Sequence, residues 1–262
     1  MLRSSGALIH LILTLPYPSP PMNPDIQKAF HEAVKNNDVD AARRMIAAGA
    51  DVNAAYDEHG YRALMHACDR GCPDMIKMLV AAGADMYIET YASKWDPPYT
   101  AAMIVADDED WARLKMLLDC GYDVNHKNSR GITLLMLCSV ICWSSGVQSL
   151  LEYGAYPSIK DQAEQTALFY ATCYNNVCYD EIIDYLIENG ANINEVDNEG
   201  NTALLQIAHE EIEGDGTHLD LIGRGIDVNI RNNAGETALS IARKHGHEYL
   251  IRELLAAGAT DN

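Results

Sequence analysis

Residues 235–259, GETALSIARKHGHEYLIRELLAAGA, contain the unit against which the rest of the chain is measured. Gly235 opens a turn, and Thr237 follows with a hydroxyl suited to accept from the first free amides of a helix. Ala238, Leu239, Ile241 and Ala242 then fall on one apolar helical stripe. Gly246 breaks that helix, and Leu250, Ile251, Leu254 and Leu255 form a second stripe. Gly258 stands where a helix ends in a left-handed residue, a conformation that glycine adopts cheaply. The local sequence predicts turn, helix, turn, helix, stop.

Earlier copies of the stop lie at Gly49, Gly83, Gly121, Gly154, Gly190 and Gly225, and the successive spacings up to Gly258 are 34, 38, 33, 36, 35 and 33. The phrases around them are AAGADVN (47–53), AAGADMY (81–87), DCGYDVN (119–125), EYGAYPS (152–158), ENGANIN (188–194) and GRGIDVN (223–229). A helix-opening phrase keeps the same phase: KAFHEA (28–33), RALMHA (62–67), AAMIVA (101–106), TLLMLC (133–138), TALFYA (166–171), TALLQI (202–207) and TALSIA (237–242). On these residues, from Pro24 to about Ala259, the chain resembles the ankyrin repeat family, whose period is near 33 and whose phrase is T-P-L-H-x-A. The resemblance implies an all-α ankyrin-repeat solenoid of about seven helix-turn-helix repeats with short β-hairpin fingers. The array spans 24–262, with approximate repeats 25–53, 54–87, 88–125, 126–158, 159–194, 195–229 and 230–262.

The family's proline is absent throughout, and its histidine survives only as His31. Its other slots are assigned to Met65, Ile104, Met136, Phe169, Leu205 and Ser240. The resemblance implies that this histidine links neighbouring repeats by hydrogen bonds. Apolar packing is therefore expected to replace most of that network, and the adaptable methionines to leave the middle of the array less rigid. Arg62 takes the place of a capping Thr, so the first helix of repeat two should fray. Repeat three is lengthened by IETYASKWDPPYT (88–100), with Tyr99 at the expected turn glycine. Repeat four has Cys142 for the helix-breaking glycine, with Trp143 and Gly146 around the same turn. Repeats five and six carry short inserts between their helices, at CYNNVCYD (173–180) and EIEGDGTHLD (211–220). Glu248, Arg252 and Glu253 give the last helix the polar face of a C-terminal cap, so the array reads as complete.

Residues 1–23 lie outside the repeats. Ala7 to Leu15 is too short for a membrane-spanning helix, and no small-residue cleavage site precedes the proline-rich YPSPP. The segment reads equally as a misassigned start before Met22 or as a secretory leader. Nineteen Lys plus Arg against 38 Asp plus Glu give a net charge of −19, which repels phosphate backbones and anionic lipid. Nucleic acid is therefore not an expected partner, and the acidity reads as a solvated surface rather than as recognition of a basic target. Seven cysteines at positions that repeats fill with small buried residues suggest reduced thiols and a cytoplasmic protein, with export through residues 1–21 the alternative. Cys68/Cys72, Cys138/Cys142 and Cys173/Cys178 lack zinc-finger spacing, and His245 and His247 occupy the repeat's Gly-His turn, so no metal and no cofactor is expected.

The glycines are accounted for by repeat turns and stops, which leaves no phosphate loop and no nucleophile elbow, and the acidic pairs Asp107/Asp110 and Glu210/Glu213 read as solvated charge. The expected protein is a non-catalytic, monomeric module that grips a protein partner. A regulatory or inhibitory subunit, a secreted effector and a spacer without a defined partner are the alternatives. The resemblance places the grip on the concave side, on finger tips and the exposed ends of first helices. Matched position by position, this surface comprises Tyr56, Glu58, His59 and Tyr61 of repeat two and Trp95 of repeat three. It continues through Lys127, Arg130, Ile132 and Ile141 of repeat four to Lys160 and Tyr174 of repeat five. Packing of Tyr91 and Trp95 onto repeat two is the structural alternative for the long finger.

Overall fold

A computed structural model of the chain describes residues 23–91, 98–172, 179–209 and 221–260. Helices follow one another in pairs: α1 (Pro24–Lys35) and α2 (Val39–Ala47), α3 (Ala63–Asp69) and α4 (Pro73–Ala81), α5 (Ala101–Asp107) and α6 (Trp111–Asp119), α7 (Leu134–Val140) and α8 (Ser144–Glu152), α9 (Ala167–Thr172) and α10 (Tyr179–Glu188). Then come α11 (Ala203–His209), a helical turn at 221–223, and the pair α12 (Ala238–His245) and α13 (Glu248–Ala256). First helices stack on first helices from α1 through α12, and second helices touch across repeats, as α2 does with α4 and α8 with α10. One buried cluster runs from Phe30 in α1 to Ala259 after α13. Helices of six to twelve residues are too short to be stable alone, so this shared core is what holds them.

Threonine caps set the start of the first helices. Thr100, Thr133, Thr202 and Thr237 accept through Oγ1 from the amides of Met103 (3.4 Å), Met136 (3.3 Å), Leu205 (3.4 Å) and Ser240 (3.2 Å). Arg62 makes no such cap, as its side chain dictates, and its Nη1 donates instead to the Gly60 carbonyl at 2.6 Å. The Thr100 cap corrects the reading of repeat three by one residue. Its histidine slot is Met103, not Ile104, and the finger-tip slot two residues before the cap is Pro98, not Tyr99, which corresponds to Tyr61. Met65, Met103, Met136, Phe169 and Leu205 fill the histidine slots as buried apolar side chains.

The expected β-hairpin fingers are not there: no strand occurs among the described residues. The fingers of repeats two, four, five, six and seven are closed instead by one Asp or Asn side chain that gathers two backbone amides. Asp57 Oδ1 accepts from His59 (2.9 Å) and Tyr61 (3.1 Å), and Asn128 Oδ1 from Arg130 (3.0 Å) and Ile132 (2.8 Å). Asp161, Asp197 and Asn232 repeat the arrangement. One backbone rung spans each of these loops, such as Asn128 N to Ile132 O (3.0 Å), over one turn bond, such as Gly131 N to Asn128 O (2.8 Å), and single bonds cross between fingers, such as Gln162 N to Arg130 O (3.2 Å). Single rungs do not make a ladder. The fingers still approach closely: a Cβ on Gly131, at φ +82°, would lie 2.8 Å from Asp161 Cα.

Asparagine joins one repeat to the next. Asn53, Asn125 and Asn229 donate through Nδ2 to the carbonyls of Gly83 (3.1 Å), Gly154 (3.1 Å) and Gly258 (3.4 Å). Their Oδ1 atoms accept from the amides of Asp85, Tyr156 and Thr260, and Asn194 accepts likewise from Asp227. Tyr87 holds the asparagine slot of repeat two, and its hydroxyl accepts from Asp123 N at 3.1 Å.

Cys142 adopts φ +64° in the inter-helix turn, the glycine's place as expected. Trp143 beside it is buried on Gly146, where a Cβ would meet the indole at 2.2 Å. Cys68, Cys72, Cys120 and Cys138 are free thiols, but Cys142 is disulfide-bonded, which corrects the expectation of a wholly reduced set. The buried thiols pack as small apolar groups, whereas Cys142 lies half-buried at a turn.

Candidate partner-binding surface

The fingers and the exposed sides of the first helices form one continuous surface because each finger leads directly into its helix cap. In repeat two, Glu58 and His59 project from the tip with side chains 89% and 75% exposed. Tyr56 and Tyr61 do not project. Tyr56 is half-buried between His31 (ring centroids 4.6 Å) and His66 (4.1 Å), and Tyr61 lies 5.4 Å from His66. Burial lowers the pKa of both imidazoles, and the charge of His66 lowers that of His31 further. Burial also raises the Tyr61 phenol, helped by the carboxylates of Asp69, Asp57, Asp108 and Asp107.

In repeat four, Lys127 and Arg130 are exposed and make no ion pair among the described residues. Ile132 and Ile141 are half-buried against the core. Lys160 of repeat five is engaged: its Nζ lies 2.7 Å from Glu195 and 3.5 Å from Glu164, and it donates to the Val196 carbonyl at 3.3 Å. It is a strut between fingers rather than a free cation. Trp95 and Tyr174 lie outside the described residues. Tyr91 packs onto repeat two, with its amide donating to the His59 carbonyl at 2.8 Å and the Arg62 guanidinium 5.5 Å above its ring.

Two clefts open on this surface. One, of about 420 Å³, lies between α1 and the repeat-two finger, lined by Pro24, Gln27, Lys28, His31, Glu32 and Tyr56. The other, of about 430 Å³, lies where the fingers of repeats five and six meet α11, with Gln165, Asp197, Glu199, Asn201, Gln206 and His209 among its walls. His66, Gln206 and His209 are missing from the sequence-derived surface. A signal for two of them was available. The residue after the histidine slot faces outward as Glu32, His66, Tyr170 and Gln206, whereas Ile104, Leu137 and Ile241 are buried.

Three cations on the second-helix side are answered locally, whereas Arg44 of α2 and Lys77 of α4 are exposed and make no ion pair among the described residues. Lys115 pairs with Asp119 at 2.7 Å and Arg224 with Asp184 at 2.6 Å. Arg113 pairs with Asp110 (2.8 Å) and Asp108 (3.1 Å) and donates to the Cys68 carbonyl at 2.7 Å, stapling repeat three to repeat two. Among the described residues, no group of three or more His, Cys, Asp or Glu is placed to hold a metal, and no helix is long and apolar enough to cross a membrane. His245 and His247 stack at 5.7 Å.

The family model for ankyrin repeats (three copies) matches residues 4–90, 101–197 and 141–214. The chain belongs to the ankyrin repeat family. An ankyrin repeat protein of Acanthamoeba polyphaga mimivirus is 26% identical over 252 residues, covering 87% of this chain and 32% of that protein. A second from the same virus is 30% identical over 147 residues, covering 54% and 35%. The chain thus spans about a third of the length of these curated relatives. The crystal structure of the ankyrin repeat domain of Bcl-3 superposes with a TM-score of 0.68 at 24% identity, covering 87% of this chain and 97% of that one, a likeness of fold alone. The fold is a non-catalytic scaffold, typical of protein–protein interaction modules.

Proposed function

We propose that this chain binds a protein partner on the surface formed by its fingers and first helices. The observation that carries the reading is a pair of exposed cations on one finger that no carboxylate among the described residues answers. Lys127 and Arg130 stand exposed and unpaired on the finger of repeat four, in a chain of net charge −19, while the second-helix cations Lys115, Arg113 and Arg224 are tied to neighbouring carboxylates. Two exposed cations can desolvate against a partner without first breaking an internal pair.

The test compares two variants in capture from the native source: Lys127→Glu with Arg130→Glu, and Lys115→Glu on the second-helix side. A finger hot spot is worth about 2 kcal/mol, so the double reversal should abolish retention of the partner while the control keeps it. Equal retention by both variants, with melting temperatures unchanged, would move the interface off the fingers.

A further inference from the structure

In later repeats the amide two residues after the helix-stop glycine is taken by an asparagine of the repeat before: Asn53 Oδ1 accepts from Asp85, Asn125 from Tyr156, Asn194 from Asp227 and Asn229 from Thr260. In repeat one that amide belongs to Asp51, and the oxygen that takes it, at 2.9 Å, is Oε1 of Gln27 in the repeat's own first helix. Gln27 Nε2 donates to the Asp51 carbonyl at 3.0 Å. These two bonds to the backbone of one residue fix which end of the glutamine amide is nitrogen. The second N–H of Gln27 points at His31, with Nε2 to Nε2 at 2.9 Å. An amide nitrogen only donates, so this imidazole nitrogen accepts, and His31 is neutral with its proton on Nδ1.

We infer that Gln27 and His31 form a proton-operated latch: neutral His31 holds the Gln27 amide on Asp51, and a proton on His31 Nε2 sets donor against donor, turns the amide away and frees the turn that follows α2. Gln27 is only 7% exposed, so two N–H groups facing each other there are costly. The surroundings decide when the latch opens. Burial and, after it, the charge of His66 keep His31 below its ordinary value of 6.5, so the latch is shut at neutral pH and opens in mild acid. Tyr56 of the repeat-two finger lies against the His31 ring at 4.6 Å, with His66 of α3 on the far side of the phenol. The charged groups around this stack are Lys28, Glu32 and Lys35 on α1, Asp57 on the finger, and Asp69 and Arg70 at the end of α3. The Asp51 carboxylate accepts from Asn53 N at 2.8 Å. Asp40, Arg43 and Arg44 of α2 are exposed, and none bonds to Gln27 or His31 among the described residues. Gln27 and His31 both line the cleft between α1 and the repeat-two finger, so the proton that frees Asp51 also gives that cleft a second cation beside Lys28.

The experiment titrates the full ¹⁵N-labelled chain by NMR from pH 7.5 to 5.0, reading the His31 ring nitrogens and the hydrogen-exchange protection of the Asp51 amide, corrected for the intrinsic rate at each pH. At pH 7.5 the His31 proton should sit on Nδ1, with Nε2 bare. As His31 titrates, Asp51 protection should fall about fivefold, the factor that one net hydrogen bond is worth, while that of Asp227, held by Asn194 instead, stays constant. His31→Phe should make Asp51 protection independent of pH over this range, and Gln27→Ala should remove it at both ends and raise the pH at which His31 titrates. A proton on Nε2 at pH 7.5 overturns the inference, and so does Asp51 protection that stays as constant as that of Asp227 through the His31 titration. Both of these readings come from the parent chain, so they decide the matter even where a variant fails to fold.

Discussion

Asn125 completes two backbone groups of the following repeat with one short side chain, at Gly154 O (3.1 Å) and Tyr156 N (2.8 Å). Removing it as Asn125→Ala should cost about 1–2 kcal/mol in denaturant unfolding, since each net hydrogen bond is worth roughly 1. Tyr87→Phe deletes only the bond to Asp123 N and should cost about half as much. The asparagine was visible in the recurring DVN phrase, but its partner was not, because the bond crosses some thirty residues of chain, and Tyr87 gave no sign of sharing the slot. The histidines add a pH dependence. Burial holds His31, His66 and His126 below their ordinary value of 6.5. Above that pH both folded and unfolded chains are neutral there, and the contribution to stability is complete. As the pH falls through 6.5 the unfolded chain takes up protons first, so stability declines until the folded-state values are passed. Melting temperature should therefore drop between pH 7.5 and 5.5, and the double variant His31→Gln, His66→Gln should drop less. A double variant as acid-sensitive as the parent would exclude these imidazoles as the cause.

At the scale of elements, caps and turns were the most legible features, because they depend on residues adjacent in sequence. Thr133 and Thr237 cap α7 and α12 as their phrases predict, and Thr133→Ala should cost about 1 kcal/mol. Register in repeat three was legible only by a residue, since AAMIVA offers several apolar frames and the Thr100 hydroxyl decides among them. The fingers were misjudged for a related reason. Family resemblance implied hairpins, but Asp57, Asn128, Asp161, Asp197 and Asn232 satisfy the loop amides that strand pairing would otherwise engage. Repeat four offers the sharpest test of packing between elements. Gly146→Ala puts a methyl 2.2 Å from the Trp143 ring, so the indole must leave its buried site. Overpacking of this kind costs roughly 1–3 kcal/mol, and the variant should show both a lower melting temperature and altered tryptophan fluorescence. Unchanged emission and stability would mean the α8 turn absorbs the methyl.

For the whole molecule, the period of about 33 residues gave the architecture outright, since a solenoid's fold follows from its repeat and a shared core. The binding surface was less legible: periodicity marks which positions face outward, not which are engaged, so Lys160 was placed on the grip although its Nζ lies 2.7 Å from Glu195. A chain ending at Asn194 loses α11, α12 and α13 and exposes the face of α9 that α11 covers. That fragment should aggregate or melt earlier than the parent in light scattering and calorimetry, and equal stability as a monomer would deny the later repeats their share of the core. The claim that the finger and first-helix side is the working face is tested most directly by hydrogen–deuterium exchange on the chain alone and on the chain bound to its captured partner. The account predicts slower exchange on binding at 57–61, at 128–132 and along α3 and α7, with α4, α6 and α8 unchanged. Protection confined to α4, α6 and α8, with the fingers exchanging as before, would contradict it.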